Sequence, residues 1–152
     1  MLKGRCGCGA VTYRMTSRPM LVHCCHCSDC QRQTGSAYVL NALIEADRVQ
    51  IEGPVSEHVL ATPSGNGQVI SRCQECGVAV FSCYMIRGGK IRFVRVGTLE
   101  NPEECPPDVQ IFTSSKQPWV PLSPDIPAYR EFYDFAEVWP PEALARRSAV
   151  LG

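Results

Sequence analysis

Seven of the ten cysteines in this 152-residue sequence stand in three tight groups: Cys6-Gly-Cys8, Cys25-His-Cys27-Ser-Asp-Cys30 and Cys73-Gln-Glu-Cys76. Thiolates two or three residues apart can turn onto one metal ion, and zinc is the default metal for so sulfur-rich a shell. Four sulfurs close a structural site, whereas three leave a position for water or an incoming ligand. Cys6, Cys8, Cys73 and Cys76 are read as the closed site. Cys25, Cys27 and Cys30 are read as the open one, giving two zinc ions per chain. A three-thiolate centre is a Lewis acid that also keeps an added sulfur ionised at neutral pH, so thiol chemistry is expected there.

The neighbours of the open site leave alternatives. Cys24 either closes the shell or, because successive side chains of an extended segment point apart, faces the core. His26, between two of the sulfurs, is expected to project outward, as a substrate contact or as a solvated loop side chain. His23 is a further candidate. Cys83 and Cys105 have no partner at ligand spacing and are read as ordinary core or surface thiols, and His58 as the exposed face of a strand.

The elements that must position these groups are short. Alternating or β-rich runs recur at 10–15, 36–44, 49–52, 56–60, 68–71, 78–84 and 91–96. Turn residues separate several of them, at Gly53-Pro54, at 63–67 and at Gly88-Gly89, which predicts antiparallel connections. A pair two residues apart on a regular strand cannot share one ion, so the chain must turn at Cys6 and Cys8. Ser28 or Asp29 is expected to cap one helical turn over 30–33, stopped by Gly35. Beyond Thr98, seven prolines from Pro102 to Pro127 predict an extended wrap anchored by Trp119, Tyr129, Phe132, Tyr133, Phe135 and Trp139. Short helices are expected at 127–135 and from Pro141 to Ala149.

At this length one domain buries a core without disulfides. Fifteen basic and fifteen acidic residues cancel, with no basic run, which weighs against a nucleic-acid partner. No apolar stretch of signal-peptide or membrane-span length is present, so a cytoplasmic protein is expected, where closely spaced cysteines hold metal rather than form disulfides.

Gly4-Arg-Cys6-Gly-Cys8-Gly-Ala-Val, the segment His23 to Ala37, Cys73-Gln-Glu-Cys76-Gly and Lys116-Gln-Pro-Trp119 resemble, in order and as far as about Tyr129, the glutathione-dependent formaldehyde-activating enzyme family, which includes the centromere protein V domain. The resemblance implies a mainly β fold, a β-tent of short antiparallel sheets around a structural zinc on Cys6, Cys8, Cys73 and Cys76, over a single domain 1–136 followed by a tail 137–152. It implies a catalytic zinc on Cys25, Cys27 and Cys30, and a carbon-sulfur lyase that reversibly joins glutathione and formaldehyde into S-hydroxymethylglutathione. Arg32, Lys116 and Trp119 join His26 as candidate contacts to a peptide-like thiol, although Arg32 and Lys116 could equally be ordinary surface charges. The competing readings are a non-catalytic zinc module that binds a protein or nucleic acid, and a thiol redox sensor using Cys24.

Overall fold

A computed structural model describes residues 1–62 and 64–152, the side chain of Arg87 excepted; Pro63, the first residue of the expected turn at 63–67, lies outside the described residues. The chain runs through β1 (Leu2–Arg5), β2 (Thr12–Met15), β3 (Leu21–Cys25), α1 (Ser28–Thr34), β4 (Val39–Glu45), β5 (Val49–Glu52) and β6 (Val55–Leu60). It continues through β7 (Gln68–Cys73), β8 (Ala79–Tyr84), β9 (Ile91–Arg95), β10 (Val109–Ile111), α2 (Phe135–Val138) and α3 (Pro141–Leu151). The protein is mainly β, as the sequence leads one to expect.

Strict alternation builds a small sheet in the order β1-β2-β5, whose inward residues include Leu2, Tyr13 and Met15. The larger sheet has the order β10-β3-β4-β9-β8-β7-β6. Its pairings are antiparallel except β10 on β3, which is parallel and departs from the expected pattern. Between the sheets Val11, Met15, Ile44, Val80 and Val94 are fully buried; such aliphatic burial contributes roughly 1.5–3 kcal/mol per side chain.

A second core cluster lies where the proline-rich segment covers the larger sheet, joining Leu21, Leu43, Val109, Ile111, Tyr133, Trp139 and Ala143. The expected helix at 127–135 does not form. Its backbone pairs with β10 instead: Gln110 N–H donates to the Pro127 carbonyl and Tyr129 N–H to the Gln110 carbonyl. Helix α2 begins only at Phe135, where the Asp134 carboxylate accepts from the Ala136 amide. Helix α3 starts at Pro141, whose missing N–H is no loss in a first turn, and is tied to the end of β4 by Arg146, which grips Glu45 through Nε and Nη2 at 2.9 and 2.6 Å.

Trp119 is not an anchor of the wrap: it is 74% exposed. Lys116 Nζ donates to the carbonyls of Gln117 and Val120, folding this loop so that Val120 enters the core and Trp119 is left outside. Among the described residues no helix is long and apolar enough to cross a membrane.

Candidate metal centres

Two knuckles face each other across the gap between the sheets. In the first the chain leaves β1, Gly9 takes a positive φ, and Cys6 N–H and Val11 C=O close the turn. In the second Cys73 ends β7, its carbonyl accepts from Gly77, itself at φ 73°, and its own N–H donates to Val78 C=O. The four sulfurs of Cys6, Cys8, Cys73 and Cys76 thereby converge within 4.8 Å of one another. Cys6 and Cys8 are 3.5 Å apart and Cys8 and Cys73 3.8 Å. Sulfurs at about 2.3 Å from a tetrahedral zinc would be separated by about 3.8 Å, so the donor set and its spacing fit that ion. The Val11 amide, pointing at Cys6 Sγ at 3.3 Å, is the kind of donor that stabilises a bound thiolate.

Cys25, Cys27 and Cys30 form the other group within 4.8 Å. Cys25 is the buried last residue of β3, held between β4 and β10 opposite Val39 and Ile111. Cys27 is the N-cap of α1, its sulfur accepting from the Cys30 amide at 3.3 Å. The cap is thus a cysteine rather than Ser28 or Asp29, which become the first two helical residues. The adjacent Cys25 and Cys30 sulfurs, and then the amides of Cys30 and Asp29, hold the Cys27 thiol well below its usual range. The Cys27 and Cys30 sulfurs, and then burial, push Cys25 up. Three sulfurs around a common point fit one metal with a position left open.

Cys24 belongs to neither group. It is buried and its sulfur lies 3.5 Å from His26 Nε2. His26 does not project outward, as expected, but is 1% exposed. Its amide donates to Ile111 C=O, and its carbonyl accepts from Gln31 Nε2 at 2.7 Å and Ser115 Oγ at 3.1 Å, so the turn is drawn against the segment after β10 and the ring is covered by Tyr38. That segment reverses at Phe112, which adopts a left-handed φ of 55°. His23 Nε2 sits 2.5 Å from the Tyr133 hydroxyl, and burial lowers its pKa to about 4, so it is a neutral core residue. Arg32 lies on the outer face of α1, paired with Asp29. Lys116 spends its donors on the two carbonyls of its own loop. Trp119 and Tyr38 line a cleft of 540 Å³ with Gln31 and Gln117. Of the other thiols, Cys105 is buried and Cys83 half-buried, both outside the two groups, and His58 is exposed on β6.

The sequence reading missed a buried polar chain beside the three cysteines. Arg95, 5% exposed on β9, donates to Asn41 Oδ1 and, at 3.3 Å, to Gln33 Oε1. Gln33 donates to Gln68, and Gln68 to Ser82. Burial lowers the Arg95 pKa, and the Cys30 sulfur is the first group to oppose that shift. Two arginines, Arg92 and Arg95, stand in the strand run 91–96, and nothing in their spacing marks which of them is buried.

The sequence profile described as glutathione-dependent formaldehyde-activating enzyme matches residues 1–115, most of the chain and both cysteine groups. The chain belongs to this family. Lys116 and Trp119 lie beyond the matched residues. No curated protein matches. A crystal structure of a Rhodobacter sphaeroides protein, 17% identical, covers 84% of this chain and 99% of its own with a TM-score of 0.50, which is a likeness of fold.

Proposed function

We propose that this member of the family is a zinc-dependent carbon-sulfur lyase, reversibly joining a small thiol such as glutathione to an aldehyde such as formaldehyde. The observation that carries the reading is the set of three converging sulfurs, with Cys24 turned away toward His26 rather than closing the shell. In the forward direction the thiol loses its proton, its sulfur attacks the carbonyl carbon, and the carbonyl oxygen takes up a proton as the carbon-sulfur bond forms. When bound by Cys25, Cys27 and Cys30, zinc would supply Lewis acidity and hold the incoming sulfur ionised. The chain's own part is preorganisation. Cys25 is fixed by two neighbouring strands, Cys27 by the first amides of α1, and the turn between them by the His26 carbonyl's two donors. The buried guanidinium of Arg95 favours negative charge developing nearby. The reading includes a second, structural zinc on Cys6, Cys8, Cys73 and Cys76, and a cytoplasmic location, where ten unpaired cysteines stay reduced.

The test is exchange NMR on zinc-replete protein with glutathione and formaldehyde. Hemithioacetal formation should exceed the spontaneous rate, and Cys27→Ser should remove the excess while the fold persists. A rate equal to the spontaneous one, with these and other small thiols and aldehydes, refutes the proposal.

A further inference from the structure

A guanidinium as buried as Arg95 is costly unless it is compensated. Among the described residues no carboxylate pairs with it. Its two terminal nitrogens meet neutral amide oxygens, and its buried Nε has no partner among the described residues. It lies at the wall of a cleft of 430 Å³ whose other polar lining is Gln33, Thr34, Tyr38 and Arg72, against apolar walls that include Leu40 and Val78. The lining contains no acidic side chain. Arg72, half-buried, uses Nη1 on the Gly77 carbonyl and so holds its guanidinium in place, close enough to depress Arg95 further. Two fixed cations, an unsatisfied buried donor and no carboxylate in the lining describe a place for an anion. Val39 of the lining is paired with Cys25 across β3 and β4, and Thr34, also in the lining, donates its hydroxyl to the Cys30 carbonyl, which puts this cleft beside the three-cysteine centre.

We infer that the cleft between Arg72 and Arg95 is a carboxylate subsite, holding the acid group of a small thiol while its sulfur reaches Cys25, Cys27 and Cys30. The inference rests on the thiol-handling reading of that centre. It adds a specificity-determining pair: Arg95 provides the planar donor edge and Arg72 the second charge, so that a thiol carrying a carboxylate is preferred over one of the same length without it.

The test is calorimetric titration of the zinc-replete protein with 3-mercaptopropionate and with 2-mercaptoethanol, in the absence of aldehyde. The carboxylate thiol should bind roughly tenfold or more tightly than the neutral one, as hydrogen bonds to charged groups imply. Arg95→Gln and Arg72→Gln should each erase most of that preference, and Arg72→Gln should leave the affinity for 2-mercaptoethanol within about threefold of wild type. A merely structural role for either arginine would weaken both thiols alike and keep their ratio. Should Arg95→Gln not fold, the partly exposed Arg72→Gln decides. Equal affinities in the wild type, or a preference that survives Arg72→Gln, overturn the subsite while leaving the thiol-handling centre intact. Failure of both thiols to bind overturns the centre and the subsite together.

Discussion

The covering of the three-cysteine strand depends on one hydroxyl. Trp139 Nε1, which can only donate, gives its proton to the Tyr133 oxygen at 2.7 Å, and the same hydroxyl is hydrogen-bonded to His23 Nε2. His23 is kept neutral by its burial, and it sits two residues before Cys25. Tyr133→Phe keeps the ring and its contacts but strands two buried groups, the indole N–H and the imidazole nitrogen. Leaving each unsatisfied costs about 1–3 kcal/mol, so a loss of about 3 kcal/mol is expected against a total stability of order 5–15 kcal/mol. For a chain of this length that lowers Tm by roughly 6–12 °C. The assay is thermal and urea unfolding of zinc-replete wild type and variant at pH 7.5, with metal content unchanged. A loss below about 0.5 kcal/mol would show that the hydroxyl is not the shared partner.

The same network sets a pH dependence. The folded pKa of His23 is about 4, below its ordinary 6.5, so between those values the unfolded chain binds the extra proton. Stability is then lost as the pH falls from about 6.5 toward 4, by about 3 kcal/mol in total at 1.36 kcal/mol per pH unit. The difference in unfolding free energy between wild type and His23→Gln should carry this slope. No slope in that difference refutes a buried neutral imidazole.

Cys27→Ser should leave one metal equivalent per chain by elemental analysis and a folded protein. Cys73→Ser should cost about 4 kcal/mol or more, the scale of a lost structural metal. Cys24→Ala should retain two equivalents, because its sulfur faces His26; loss of one would mean that Cys24 reaches the open site. Arg146→Ala breaks a pair whose carboxylate is only 5% exposed, leaving Glu45 with Arg48 at 3.4 Å, so about 3 kcal/mol is expected from urea unfolding. Titration with a chelator should proceed in two steps: the first equivalent leaves without unfolding and the second with it. Unfolding that accompanies the first equivalent refutes this order.

The runs at 49–52, 68–71 and 91–96 were legible because their residues alternate or their turns are marked by glycine and proline. β3 was not: Leu21 to Cys25 are all buried, so no period of two survives in Leu-Val-His-Cys-Cys. β10 is three residues long and stands in a proline-rich stretch, and it exists because β3 offers an edge to it. The same tertiary demand drew 127–129 into an extended pairing that overrode its helical pattern. His26 shows the limit most clearly. Its place between two cysteines suggested a loop side chain, but its backbone is held by Ile111 and Ser115, far along the chain, and its ring lies against Tyr38. Arg95 was one of two arginines in the run 91–96; that it is the buried one, and that among the described residues no acid meets it, required the three-dimensional arrangement.

The spacing of the cysteines also explains why the two centres should differ in their coupling to the fold. Cys6 and Cys8 follow β1 in the small sheet and Cys73 ends β7 in the large one, so an ion bound there clamps two sheets and closes a loop of more than sixty residues, a constraint felt chiefly by the unfolded chain. Cys25, Cys27 and Cys30 lie within one strand-to-helix turn. Each end of that turn is fixed without metal, at Cys25 by pairing with Val39 and Ile111, and at Gly35 by its αL cap on the Gln31 carbonyl. Metal binding at the turn therefore has little folding free energy to supply. A centre whose frame stands without its ion can exchange ligands, and even the ion itself, while the protein remains folded, and the proposed thiol chemistry would require that independence.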